Sequence, residues 1–298
     1  MNPICEGRSG TRMGFTVVIP ARNEEAGIAT CIGSVIAAVE NMYTTADILV
    51  VDDGSSDGTV ARAEASGARV LRHEQQRGGL AAWATGVTAS ETPFVVFVDA
   101  DCTVDAGAFA RLLQVVEQPG VGVASGRAVP VDDRFNGQRG SRSPIVSRSS
   151  RFSAVLLDEM KSRLGDHDFI AIGRLMAIRR EAWNVPDAAL PHGDREVASA
   201  ARRAGWRAVW VSQAKVYYHT PASFSELRSD WRRTRLALAR SPQTFDVIPW
   251  PVQLSAAWVA LRGAPLDALC WVSCRTRLIG ESLGRHDTAG NHQPVAWD

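Results

Sequence analysis

Phe94-Val95-Val96-Phe97-Val98-Asp99-Ala100-Asp101 is the stretch on which the fold turns. Its first five residues are apolar and read as a buried strand. Two carboxylates, one residue apart, follow where that strand meets solvent. Oxygen ligands so placed suit magnesium or manganese, and such ions commonly hold substrate phosphates. The stretch therefore points to a phosphorylated or nucleotide-bearing substrate.

Upstream, strand and helix alternate. Phe15–Pro20 reads as a strand, and Glu25–Glu40 carries Ile28, Ile32, Val35, Ile36 and Val39 at helical spacing. Asp47–Val51 is a second strand and Asp57–Ser66 a second helix, with Ser55, Ser56 and Asp57 as capping candidates. Ala68–Leu71 is a third strand, and Gly79–Ala89 a helix of small residues. After Phe94–Val98 come a helix at Ala106–Val116 and a fifth strand at Val121–Val129. This rhythm predicts an α/β fold, a largely parallel sheet with helices on both faces.

The pattern breaks at Asp132–Arg151. This polar, basic, Gly/Ser-rich stretch reads as a loop, and a candidate lid, leading into a helix at Phe152–Arg163. Beyond it, Ile170–Ile178 reads as a strand and Asp194–Ala204 as a helix ending at Gly205. Trp206–Val211 and Lys215–Tyr218 read as two short strands, and Ser223–Arg240 as a very basic helix. Val252–Gly284 carries two amphipathic helical stretches split by Gly263 and Pro265.

The 298 residues suffice for a substantial core, and a formal net charge of +1 offers no general surface for nucleic acid. Lys161 and Lys215 are the only lysines. The excess of arginine reads as the bias of a GC-rich bacterial genome, not as a phosphate-binding surface. The five cysteines lack paired zinc spacing, and Cys270 and Cys274 read as packing residues on one helical face. A reduced, cytoplasmic compartment is expected. Residues 1–13 lack the apolar core of a secretory signal and are expected to fray. The stretch nearest to a membrane span, Val247–Leu261, is broken by Pro249 and Pro251.

In an open α/β sheet, ligands bind beyond the carboxyl ends of the strands. Three polar clusters fall there: Pro20-Ala21-Arg22-Asn23-Glu24-Glu25, Asp52-Asp53-Gly54-Ser55-Ser56-Asp57-Gly58-Thr59, and Asp99-Ala100-Asp101. The second can be a turn and a helix cap, a role that suits Asp57 and Thr59. A cap does not need the further pair Asp52 and Asp53. Like charges so close require a cation or hydrogen-bond donors, such as a base imide or ribose hydroxyls. Gly78-Gly79 is followed by no Gly-Lys-Ser/Thr, and no dinucleotide fingerprint is present.

Together these segments resemble the inverting family-2 glycosyltransferases of the GT-A fold, over roughly residues 14–240. The resemblance implies a Rossmann-like three-layer α/β/α sandwich. It would comprise a nucleotide-sugar-binding half at 14–130, an acceptor-binding and catalytic half at 131–240 and a helical extension at 241–298. It implies a nucleotide-sugar donor, most often a UDP-sugar, and manganese or magnesium. Pro20, Ala21, Arg22, Glu24, Asp52 and Asp53 would line base and ribose, with Asp53 at the uracil edge. Asp99 and Ala100 would lie near ribose and metal, Asp101 would ligate the metal, and His219 is a candidate third ligand. Gly79 stands where the family often has lysine, and Arg77, beside Gly78, is the candidate substitute.

The family's acidic motif, usually Glu-Asp, opens a helix that ends at a glycine. Here Gly193-Asp194 takes that place, so the Glu is absent. Asp194 would be the general base that removes the acceptor proton, or a helix cap, or both. Glu196 and then His192 are the alternatives. Of the family's Gln-x-x-Arg-Trp segment only Arg233 survives, in Asp230-Trp231-Arg232-Arg233-Thr234. That loss argues against a processive polysaccharide synthase. Arg233 is a candidate phosphate or acceptor contact, or part of a solvated basic face.

The reading is a metal-dependent, inverting hexosyltransferase making one transfer per acceptor. A retaining GT-A enzyme and a non-catalytic nucleotide-sugar-binding or partner subunit are the rivals. The acceptor stays open among small molecules, natural products and lipid-linked glycans. The apolar tail, from Trp250 through Trp258, Leu266 and Trp271 to Leu278, either packs on the catalytic domain, forms a homodimer or touches a membrane surface.

Overall fold

The computed structural model describes residues 14–42, 44–131, 143–164, 173–185, 193–221, 223–229, 232 and 250–283. In chain order its elements are β1 (Phe15–Ala21), α1 (Ile28–Glu40), β2 (Ala46–Asp52), α2 (Thr59–Ala65), β3 (Arg69–Arg72), α3 (Gly79–Ala89), β4 (Phe94–Val98) and β5 (Cys102–Val104). They continue with α4 (Ala108–Val116), β6 (Val121–Val131), α5 (Pro144–Arg163), β7 (Leu175–Arg179), α6 (Gly193–Arg203), β8 (Arg207–His219), α7 (Trp250–Gly263) and α8 (Pro265–Leu283).

One sheet runs β3-β2-β1-β4-β7-β6-β8-β5. It is parallel from β3 to β4. The β4–β7, β7–β6 and β8–β5 pairs are antiparallel. Alternate residues of each strand enter opposite cores, as the period-2 pleat requires. Phe15, Val17, Ile19, Val96 and Val98 pack under α1 and α4, against Ile28, Ile32, Phe109 and Leu112. Val18, Val95 and Phe97 pack on the other face, against Leu80, Trp83 and Val87 of α3 and Val197 and Ala201 of α6. The result is the α/β/α sandwich, and β1, β2 and β4 end at the same edge.

Contacts divide the chain into two compact units. One comprises Met1–Val129, Leu164–Tyr218 and Ala237–Val247; the other comprises Pro130–Arg163, His219–Leu236 and Ile248–Asp298. In the second, α5, α7 and α8 close on Phe152, Ala260 and Ala268.

Three sequence expectations change. The lid reading of Asp132–Arg151 fails over its second half, because α5 begins at Pro144; residues 132–142 lie outside the described residues. Proline suits a first helical turn, and the Ser143 carbonyl accepts the Ser147 N–H at 3.0 Å. Serines that looked loop-like are packing residues: Ser147, Ser149 and Ser150 are buried. The two short strands after Gly205 are one, β8, because a single strand there pairs with both β6 and β5. The strand expected at Ile170–Ile178 begins only at Leu175, after the undescribed 165–172.

Candidate active site

The loop after β2 is fixed by its own acids. Asp52 is fully buried; it accepts the Ser55 N–H and pairs with Arg72 Nε at 3.2 Å. Asp53 accepts the backbone N–H of Arg77 at 2.7 Å and of Gly78 at 2.8 Å, and its Oδ1 meets His73 Nδ1 at 2.8 Å. His73 Nε2 meets the Thr85 hydroxyl at 2.9 Å. A neutral ring with its proton on Nδ1 donates to Asp53 and accepts from Thr85. Burial works to raise Asp53, but the bonds from His73, Arg77 and Gly78 outweigh it and hold the carboxyl below its ordinary range. Gly78 has φ 97, which places it in a conformation that favours glycine.

The loop after β1 is tied to the same segment. Asn23, itself at φ 55, donates its N–H to Ser55 Oγ, and Glu24 donates its N–H to Thr59 Oγ1 at 2.8 Å. Glu25 accepts the Gly58 N–H and pairs with Arg62. The capping candidate Asp57 accepts the Thr59 N–H at 3.0 Å. Pro20 and Ala21 lie at the end of β1, and Arg22 is exposed.

Glu24 shares the field of Asp99 and Asp101. Loss of hydration, then the charges of Asp101, Asp99 and Asp57, push Glu24 up to about 7. Asp99 is pushed up to about 6, first by loss of hydration, with Arg174 opposing and Asp101 and Asp194 adding. Asp101 is held low: burial would raise it, but Arg174 prevails. Arg174 Nη1 lies 3.1 and 3.0 Å from the two Asp101 oxygens and 3.9 Å from Asp99 Oδ2. Its guanidinium stands over the Tyr218 ring at 4.1 Å. Ligand atoms of Asp99, Asp101 and Cys102 lie within 4.8 Å of one another. Burial drives the Cys102 thiol well up, so it stays protonated and leaves the two carboxylates as the hard oxygen donors. Ala100 is buried between them.

Asp194 sits in the first turn of α6. Its Oδ2 accepts the Gly173 N–H at 3.0 Å and its Oδ1 the Arg195 N–H at 2.8 Å. Beside it lies Trp83, stacked on Phe97 at 4.7 Å. A Cβ on Gly193 would come within 3.0 Å of the Trp83 ring, and one on Gly173 within 2.7 Å. The indole therefore borders the space that a side chain at 193 would enter. Glu196 is buried and pairs with Arg203 at 2.9 Å.

The Arg77 side chain is exposed while its backbone serves Asp53. His219 ends β8; its buried Nδ1 has no hydrogen-bond partner among the described residues, and it is not in the Asp99–Asp101–Cys102 group. Arg233 and His192 lie outside the described residues. A cavity of about 340 Å³ lies among Leu71, Arg77, Leu80, Thr85, Trp183 and Val185, and none of the clustered acids lines it.

The Glycosyl transferase family 2 signature matches residues 16–185, which include both aspartate clusters. The chain belongs to this family. Among its relatives is the low-salt glycan biosynthesis hexosyltransferase Agl6 of Haloferax volcanii, 27% identical over 76% of this chain; the match spans 54% of that protein. The fold is also that of solved glycosyltransferases. A mannosyltransferase from Pyrobaculum calidifontis, solved with GDP-mannose and Mn2+, has a TM-score of 0.58 at 17% identity, covering 93% of this chain and 76% of its own. Glucosyl-3-phosphoglycerate synthase from Mycobacterium tuberculosis, solved with Mn2+, UDP and phosphoglyceric acid, has a TM-score of 0.54 at 24% identity, covering 82% and 85%.

Arg174, His73 and Trp83 are the neighbours of the candidate residues Asp101, Asp53 and Asp194 that sequence reasoning missed. Arg174 had a signal: it is the one charge inside Ile170–Ile178. Its meaning needed the antiparallel register Val98↔Leu175, which sets the start of β7 against the end of β4.

Proposed function

We propose that this protein is a divalent-cation-dependent, inverting glycosyltransferase moving one hexosyl group from a UDP-sugar to an acceptor hydroxyl. The observation that carries this is the convergence of Glu24, Asp99 and Asp101, with the Asp194 charge bearing on Asp99 from α6. Arg174 meets Asp101, while Glu24 and Asp99 stay raised by burial and by the neighbouring carboxylates, whose field a further cation would relieve. Asp101 and Asp99 are the residues that would hold it. When bound, such an ion neutralises the charge that grows on the leaving diphosphate. Mn2+ in the two solved relatives supports the same choice. The loop tied by Asp52 and Asp53 would shape the nucleoside end.

Each Asp194 oxygen accepts one N–H and keeps a second lone pair. The carboxylate is thereby oriented. It would take the acceptor proton as that oxygen bonds to the anomeric carbon and the bond to the diphosphate breaks on the opposite side. A non-catalytic, nucleotide-sugar-binding role is the second reading. The hold of backbone N–H groups on both Asp194 oxygens, with glycine in place of the family's Glu, favours it.

The test is diphosphate release from UDP-, GDP- and dTDP-sugars with Mn2+. Asp194→Asn should lose about 10²–10⁴-fold in turnover while keeping Mn2+-dependent UDP binding. Asp101→Asn should lose that binding. Undiminished turnover in Asp194→Asn would sink the base assignment, and no turnover of any donor would favour the second reading. NMR of the product's anomeric configuration separates inversion from retention.

A further inference from the structure

Helices α7 and α8 are built inside out. Their buried positions are mostly small: Ala256 and Ala260 on α7, and Ala268 and Cys274 on α8, with Leu278 the exception. Trp271 packs on Phe152, but most of the other large apolar side chains described on these helices face solvent instead. Leu254, Trp258 and Leu261 recur at helical spacing on α7, and Leu266, Leu269 and Val272 do so on α8. Leu266 is 61% exposed and Leu269 67%. Of the nine exposed large apolar residues among the described ones, seven lie on these two helices. Single exposed leucines are ordinary, but a concentration of this kind marks an interaction surface.

Charge selects the occupant. Arg262, at the turn between the helices, lies over the Trp258 ring at 4.8 Å. The acidic Asp267 is only 15% exposed and is held by Arg148 at 3.0 Å and Arg151 at 3.4 Å. Among the described side chains of α7 and α8, the patch thus carries a cation beside its apolar groups and no free anion. Self-association through it would set arginine near arginine, with no free acid among the described side chains of the two helices to meet either. An anionic lipid surface satisfies both features. Hydrocarbon receives the leucines and the indole, and headgroup phosphates receive the guanidinium. Neither helix is long and apolar enough to cross a membrane, so the pair would lie on the surface.

We propose that the α7–α8 turn docks on an anionic lipid bilayer, with Trp258, Leu261, Leu266 and Leu269 at the boundary between headgroups and acyl chains. This is independent of the catalytic reading. The full chain should sediment with vesicles of phosphatidylcholine containing about a third phosphatidylglycerol, less with phosphatidylcholine alone, and less as salt rises. The Leu261→Ser/Leu266→Ser/Leu269→Ser variant alters only exposed positions and should keep its melting temperature and circular dichroism. Its vesicle binding should fall by roughly tenfold or more. Arg262→Glu should weaken binding to the anionic vesicles specifically. A wild-type chain that ignores both vesicles overturns the proposal, as does a triple variant that binds like wild type. A dimer in sedimentation velocity that the triple variant dissolves would assign the face to a second copy and equally overturn it.

Discussion

Three donors of this chain, two backbone N–H groups and one imidazole, reach the two oxygens of Asp53. Asp53→Asn removes the charge those donors face and should cost about 2–3 kcal/mol, read by chemical denaturation. The pH dependence has a definite sign. The folded carboxyl lies below its ordinary value of 3.8, so its contribution is present above that pH and is lost as pH falls through the folded pKa. Melting temperatures taken from pH 7 down to pH 3 should therefore drop more steeply at the acid end for wild type than for Asp53→Asn. A second prediction concerns Gly193. Gly193→Ala drives a Cβ toward Trp83 and should cost about 1–3 kcal/mol and displace Asp194, lowering kcat more than donor KM. Trp83→Phe keeps the stacking partner of Phe97 and trims the far edge of the ring. It should restore part of the loss, giving a coupling of about 1 kcal/mol in a double-mutant cycle; strictly additive effects would refute the contact. The sequence shows that the family's Glu is missing at Gly193. Only the structure shows an indole beside that place.

Among the elements, α3 and its leading loop join the Asp53 loop to the core. Gly78→Ala forces φ 97 on a residue with a Cβ, at about 1–3 kcal/mol, and loosens the two N–H groups that Asp53 accepts. Donor KM should rise, and unchanged donor binding by calorimetry would show the loop to be indifferent to that glycine. In the second unit, Asp267 ties α8 to α5 through Arg148 and Arg151. Asp267→Asn should lower the stability of that helical group by about 1–2 kcal/mol, seen as faster amide exchange in α5 and α8. The elements most legible in the sequence were those with one clear pattern. Phe94–Val98 and Gly79–Ala89 match β4 and α3 to the residue. α5 was misjudged because serine and arginine read as loop chemistry, whereas three of those serines are buried. β5 was missed because Cys102–Val104 is too short to carry a period.

For the whole molecule, a net charge of +1 and a pI near 7.7 leave little electrostatic repulsion between copies at neutral pH. The α7–α8 patch should nonetheless not pair copies: near that pH and without lipid, light scattering should give wild type and the triple serine variant the same mass. The sequence by itself determined that strands and helices alternate, and that acidic clusters stand at the ends of β1, β2 and β4. It did so because hydrophobic period and turn chemistry are local, and because strand ends in such a sheet share one edge. Tertiary structure alone decided which side chains answer those acids. Arg174 meets Asp101 through antiparallel pairing across 73 positions, and His73 meets Asp53 across 20. It also decided that Leu254, Trp258, Leu261, Leu266, Leu269 and Val272 of α7 and α8 face outward, because a helical period marks a face without saying which side is buried.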